Sequence, residues 1–230
     1  MFRRKAILII HGFAGGTYDQ EYLANFLELD RGFDVYTFTL PGHNVVDSTV
    51  KKEVWINSSM EHIDMLIKNK YKDIYVIGHS MGGVLASIVA TKYKNVKKLV
   101  LLAPAFKYLA LDNDGNFNLM LGLKKSSDLI KTYSKEEVIS RVLKIPFKVL
   151  MEFVDLVKKY ENVPSKIKCN TLIIQGLKDD VVPIESAKYV YNLIPHKNKK
   201  ILFFDDTNHD IFKGIKKYEI SETIKDFLKY

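Results

Sequence analysis

A serine enclosed by glycines, Gly78-His79-Ser80-Met81-Gly82-Gly83, constrains this 230-residue chain more than any other stretch. The β-branched run Asp73-Ile74-Tyr75-Val76-Ile77 precedes it, and a helical run over 84–90 follows. A G-x-S-x-G that joins a strand to a helix predicts a sharp, strained turn, with the serine hydroxyl raised at the carboxyl end of the strand. Such a turn tolerates no bulk beside the serine. Gly78 and Gly82 meet that requirement, and Gly83 lets the helix pack close to the strand. The amide of Met81, at the positive end of the following helix, is placed to favour a developing oxyanion.

The surrounding pattern alternates strands and helices. Residues 5–11 read as a strand covered on both faces and run into the glycine-rich His11-Gly12-Phe13-Ala14-Gly15-Gly16. A helix is expected over 18–29, a strand over 33–40 stopped by Pro41-Gly42-His43, and a helix over 53–70. After the serine turn come a helix over 83–93 and a strand over 98–103. The next good strand begins only at Thr171, which is far more chain than a crossover needs, so most of the intervening segment is expected to be an insertion. Within it, Ser134-Lys135-Glu136-Glu137 is a capping box for a helix through Lys144, and a second helix over 147–160 carries two apolar stripes. One stripe can sit on the protein body; the other either lines a ligand cavity or is buried too. The alternation then resumes with a strand over 171–175, a helix over 184–193, a strand over 200–204 and a final helix. Repeated β-α units imply an α/β protein with a mostly parallel, six-stranded sheet and helices on both faces.

Composition narrows the function classes. The N-terminal Arg3-Arg4-Lys5 and the apolar run after it lack the length and the cleavage site of a signal peptide, and no run approaches a membrane span. The single cysteine, Cys169, excludes an internal disulfide framework and fits a reducing, cytoplasmic setting. The net charge of +8 is spread over lysines throughout the chain. It reads as solvated faces, or more sharply as attraction to an anionic lipid surface or an acidic substrate. No nucleic-acid motif, metal-ligand spacing, P-loop or dinucleotide fingerprint occurs, so neither nucleic acid nor any cofactor is expected.

A serine hydroxyl becomes an effective nucleophile when an imidazole takes its proton and a carboxylate orients that imidazole. In parallel α/β sheets such partners belong in the loops that follow strands. Asp179 and Asp180 follow the fifth strand and His209 the sixth. His11 and His79, flanked by loop glycines, read as structural. His43, after a Pro-Gly turn, either borders the site or, as the default, lies at the surface, where His62 and His196 are also expected.

Together, the HGFAGG loop, Gly78-His79-Ser80-Met81-Gly82-Gly83, Gly176-x-x-Asp179 and Asn208-His209 resemble the serine α/β-hydrolases, and most closely their compact bacterial carboxylesterases and monoacylglycerol lipases. Leu40-Pro41-Gly42-His43 and Trp55 are similar to the same group. The resemblance implies the α/β-hydrolase fold, with a core of 1–104 and 166–230 and a helical cap over 105–165. It makes Ser80 the nucleophile, His209 the base and Asp179, third after the strand-ending glycine, the orienting acid. It further implies an oxyanion hole from the backbone amides of Phe13 and Met81. The implied activity is hydrolysis of small-molecule carboxylic esters with an apolar acyl chain, such as a monoglyceride, without cofactor. A thioesterase, acyltransferase or feruloyl-type esterase would use the same residues, and a catalytically silent binding protein is the reading from another class.

Overall fold

The computed structural model describes residues 4–43, 47, 49–107 and 146–230. Its centre is a six-stranded sheet built from β1 (Lys5–Ile10), β2 (Phe33–Thr37), β3 (Ile74–His79), β4 (Val96–Leu102), β5 (Asn170–Gly176) and β6 (Lys199–Phe204). All neighbouring strands are parallel, in the order β2-β1-β3-β4-β5-β6. The order reverses between β1 and β3, which opens a crevice at their carboxyl ends, where ligand sites of parallel sheets form.

Side chains alternate along the strands and so fill two cores. Ala6, Leu8 and Ile10 of β1 join Ile74 and Val76 of β3 on one face. There they pack under helices α2 (Lys52–Lys68), α3 (Met81–Lys92), α4 (Phe147–Tyr160) and α5 (Ile184–Leu193). Ile7, Ile9, Tyr75 and Ile77 point to the other face, against α1 (Glu21–Glu28) and α6 (Lys217–Lys229). Burial on both sides explains why β1 and β3 are apolar runs in place of polar-apolar alternation.

Element boundaries follow the sequence reading within a few residues, and α4 and α5 coincide with it. The expected helix over 18–29 is a 3₁₀ turn, Thr17–Gln20, followed by α1. The strand expected over 33–40 stops at Thr37, before Pro41. The helix expected through Lys144 lies outside the described residues. On α4 both apolar stripes turn inward: Val149, Phe153, Val154, Leu156 and Val157 are all buried, whereas Phe147 is 62% exposed.

Two contacts root the segment between β4 and β5 on the sheet. Ser186, buried at the start of α5, donates its hydroxyl to the Pro104 carbonyl at 2.5 Å and accepts from the Phe106 and Lys107 amides at 3.0 and 2.9 Å. Further along, Glu152 of α4 accepts from both the backbone amide and the ammonium of Lys52, each at 3.1 Å. Lys52 opens α2, whose preceding residue gives no side-chain cap, so a carboxylate from another helix satisfies an end amide and faces the positive helix terminus.

Candidate active site

Ser80 stands between β3 and α3 with φ 54° and ψ −119°, a left-handed backbone that a residue with a Cβ adopts only under strain of about 1–3 kcal/mol. Hydrogen bonds hold it there. The Ser80 amide donates to the Leu102 carbonyl of β4 at 2.9 Å, and its own carbonyl accepts from Gly83 at 2.9 Å and Ala105 at 3.2 Å. Two glycines make the arrangement possible. A Cβ at Gly82 would collide with the carbonyls of Ile10 and His11 at the end of β1. A Cβ at Gly12 would lie 3.0 Å from that of Ser80, so the loop after β1 passes directly beside the serine.

Asp179 and His209 meet across the loops after β5 and β6. His209 Nδ1 donates to Asp179 Oδ2 at 3.0 Å. The Asp179 side chain is fully buried and that of His209 only 12% exposed. The other carboxylate oxygen, Oδ1, accepts from the amides of Val181 and Val182, both at 2.9 Å. Backbone bonds from Leu177 to Phe204 and from Lys178 to Thr207, each 3.0 Å, zip the two loops together, and a Lys178–Asp206 ion pair at 2.5 Å closes them. Of the two aspartates left open by spacing, Asp179 makes the hydrogen bond, and Asp180 reaches His209 electrostatically.

Ser80 is joined to this pair through its neighbour. His79 Nε2 donates to the backbone carbonyl of His209 at 3.0 Å, with the two rings 4.8 Å apart. Burial, followed by the charge His209 carries when protonated, pushes the His79 pKa down to about 4, so His79 is a neutral strut at ordinary pH. Among the described residues the Ser80 hydroxyl makes no hydrogen bond to His209. Contacts of this kind commonly tighten only once substrate is bound.

The two imidazoles differ because their surroundings differ. For His209, burial disfavours the cation, but the Asp179 charge and hydrogen bond, with Asp210 and Asp180 beyond, outweigh it and raise the pKa above its usual value. For Asp179, burial favours protonation, yet the attraction of His209 and the hydrogen bonds from His209, Val182 and Val181 hold the pKa low. An ionised acid beside a base of raised affinity can fix an imidazole tautomer and stabilise its cation.

His11 organises the opposite wall. Its Nδ1 donates to the Gly12 carbonyl at 2.8 Å and its Nε2 accepts from the Leu40 amide at 2.9 Å, which fixes one tautomer. Burial pushes its pKa down to about 4. His43, by default expected at the surface, is instead half-buried among rings. It packs edge-on against His11 at 5.0 Å, Phe13 at 5.9 Å and Trp55 at 5.8 Å, because the Pro41-Gly42 turn folds back over α2. The Pro41 carbonyl accepts from the Trp55 indole at 3.0 Å. The Phe13 ring stacks on Phe153 of α4 at 4.9 Å, which ties the loop beside Ser80 to the helix above it.

Gln175 escaped the sequence reading. Its fully buried amide donates to Asp179 Oδ2 at 2.9 Å and to the Val182 carbonyl at 3.2 Å. Oδ2 therefore serves Gln175 and His209 at once. A polar amide inside the buried strand Thr-Leu-Ile-Ile-Gln-Gly was the signal available. Replacing it, Gln175→Leu, withdraws a donor that competes with His209 for the carboxylate and strands the Val182 carbonyl. A stability loss of about 1–3 kcal/mol is expected in denaturant titration. The acid limb of the activity profile is expected to move to higher pH, because the imidazolium gains from a carboxylate with one donor fewer. An unmoved limb would assign Gln175 to stability alone.

With the fold and geometry in place, comparison with known proteins identifies the architecture. The family described as alpha/beta hydrolase fold matches residues 5–133, more than half of the chain. The chain belongs to the alpha/beta hydrolase fold family. A second family, described as serine aminopeptidase S33, matches residues 118–215 of this hydrolase. A curated carboxylesterase of Bacillus subtilis is 25% identical over 230 residues, covering 98% of this chain and 92% of that protein. Among solved structures, one of the metagenome-derived lipolytic enzymes LipS and LipT superimposes with a TM-score of 0.77 at 18% identity, covering 100% of this chain and 96% of that one. The Paleococcus ferrophilus monoacylglycerol lipase gives 0.72 at 21% identity, covering 99% and 96%. These two share the hydrolase fold. Among the described residues no group of three or more His, Cys, Asp or Glu could hold a metal ion, and no helix is long and apolar enough to cross a membrane.

Proposed function

We propose that this hydrolase is a serine esterase acting on carboxylic esters with an apolar acyl chain, such as a monoglyceride. The observation that carries the reading is the buried Asp179–His209 hydrogen bond, held in place by His79, the residue that precedes a strained, glycine-flanked serine. The carboxylesterase and lipolytic relatives support the substrate class.

In this mechanism the Ser80 hydroxyl oxygen attacks the ester carbonyl while His209 Nε2 takes its proton. The Phe13 and Met81 amides receive the tetrahedral oxyanion, the second of them at the positive end of α3. Collapse breaks the bond to the alkoxy group, which leaves with the proton from His209, and Ser80 stays acylated. A water molecule then gives its proton to His209 and attacks the acyl carbonyl, which releases the acid and restores Ser80. Asp179 remains ionised throughout. The cap expected over 105–165 lies for the most part outside the described residues; within them, Phe153 of α4 stacks on Phe13 beside Ser80 and supplies an apolar surface for an acyl chain.

Hydrolysis of p-nitrophenyl esters of increasing acyl length tests the proposal. Turnover is expected, with a preferred length that sizes the acyl pocket, and a fluorophosphonate probe is expected to label Ser80. Labelling with turnover only on thioesters or aminoacyl amides would reassign the substrate. Failure of both labelling and turnover would make the chain a silent binding protein.

A further inference from the structure

Lysines that the sequence spreads along the chain are collected by the fold at one end. Because the six strands are parallel, every segment leading into a strand lies at the end of the sheet opposite Ser80, Asp179 and His209. The register aligns these strand starts side by side: Lys5 lies opposite Phe33, Lys98 opposite Tyr75 and Asn170, and Lys199 opposite Thr171. Residues 4–6, 29–34, 69–74, 93–98, 161–170 and 194–200 carry thirteen Lys and Arg against four Asp and Glu. Their formal charge of +9 exceeds the +8 of the whole protein. Two of the four acids are already engaged, Asp34 by Arg4 at 2.7 Å and Asp30 by Lys229 at 2.5 Å. The segments that follow strands, 11–16, 38–50, 103–107, 177–183 and 205–216, carry four lysines and six aspartates.

Part of this positive charge serves the fold. The Lys98 ammonium donates to the Phe227 and Leu228 carbonyls at the end of α6, and that of Lys199 to the Tyr191 and Ile194 carbonyls at the end of α5. Those bonds complement the negative ends of two helices. Lys72, Lys94, Lys166, Lys168, Lys197 and Lys200 are instead exposed. Between the starts of β5 and β6 and the end of α6 lies an open cleft of about 290 Å³, lined by Asn170, Thr171, Asn198, Lys197, Lys200 and Phe227. It offers the side-chain amides of Asn170 and Asn198 and the ammonium groups of Lys197 and Lys200 to an anion.

We propose that the amino end of the sheet is a docking surface for the phosphodiester headgroups of an anionic bilayer, with this cleft seating one headgroup. Charge complementarity over one whole face argues for a charged sheet as the partner. Eleven of the thirteen basic residues are lysines, point charges on flexible stems suited to diffuse attraction, with few of the planar forks that read nucleic-acid edges. Of the aromatics at this end, Tyr71 is half-buried with its hydroxyl on Asp34 at 2.7 Å, Phe227 is half-buried beneath the Lys98 ammonium, and Tyr230 is exposed, one open ring where a run of stacked bases needs several. Docked in this way, the protein turns Ser80 away from the bilayer, towards substrate in water. This inference stands on charge and topology and is independent of the esterase reading.

Flotation with vesicles of phosphatidylcholine alone and of phosphatidylcholine with phosphatidylglycerol tests it. The intact protein is expected to float with the anionic vesicles only, and to be released by salt as the charges are screened. Lys197→Gln/Lys200→Gln is expected to weaken binding about thirtyfold, at about 1 kcal/mol for each basic residue near an anionic surface. Lys51→Gln/Lys107→Gln, at the other end, is expected to leave binding unchanged. Neither pair should alter turnover of a water-soluble ester. No binding to anionic vesicles, equal loss in both pairs, or retention on a nucleic-acid homopolymer without vesicle binding would each overturn the proposal.

Discussion

Ser80→Ala is expected to lower ester turnover by about 10⁶-fold, as loss of a nucleophile does when base and acid cannot act without it. The folded state should be little affected. Among the described residues the Ser80 hydroxyl makes no hydrogen bond, and the turn is held by backbone bonds to Leu102, Gly83 and Ala105 that alanine keeps. The φ of 54° remains strained with any Cβ, so Ser80→Gly should be inactive and more stable, by roughly 1 kcal/mol from relieved strain and less any entropic cost of glycine. Measuring kcat/KM together with thermal unfolding for the two variants separates chemistry from folding. Full turnover in Ser80→Ala would place the nucleophile elsewhere.

Asp179→Asn should cost about 10⁴-fold in kcat through tautomer reversal. The Val181 and Val182 amides donate to one side-chain position of residue 179, so an asparagine must place its oxygen there. Its NH₂ then faces His209 Nδ1, which can only accept from it. The imidazole proton moves to Nε2, and the ring can no longer take a proton from Ser80. The pH profile supplies a second readout. A base must be neutral to act, and Asp179 raises the His209 pKa above its usual value, so with His209 as base the acid limb of kcat/KM is expected above the usual histidine value in the native protein. Without the carboxylate, burial dominates and the limb of the residual activity should shift to lower pH. A limb that stays in place would mean that another group sets it.

The alternation of strands and helices was legible because the inner strands β1 and β3 are buried on both faces and helices such as α1, α4 and α6 on one. The serine turn was legible for a steric reason: only glycine fits where residue 82 meets the carbonyls of Ile10 and His11. The choice between Asp179 and Asp180 rested on family spacing, since two adjacent carboxylates look alike until the turn amides of Val181 and Val182 select one. Gln175 was missed because a hydrogen-bonding role depends on a partner 4 residues away across a turn, which strand periodicity does not encode. Of the two readings of His43, the default of an exposed ring fell because its burial comes from contacts with Trp55 and Phe13, which its own neighbours in sequence do not reveal. The charge asymmetry was hidden for the same reason. Lysines at intervals along the chain become one face only when strand direction is known.

The two roots of the segment after β4 have an evolutionary corollary. Ser186 anchors residues 104–107, while Phe153 and Glu152 anchor α4. Homologous chains should therefore keep a hydrogen-bonding residue at 186 and an aromatic ring at 153, because losing either frees one rim of the wall beside Ser80.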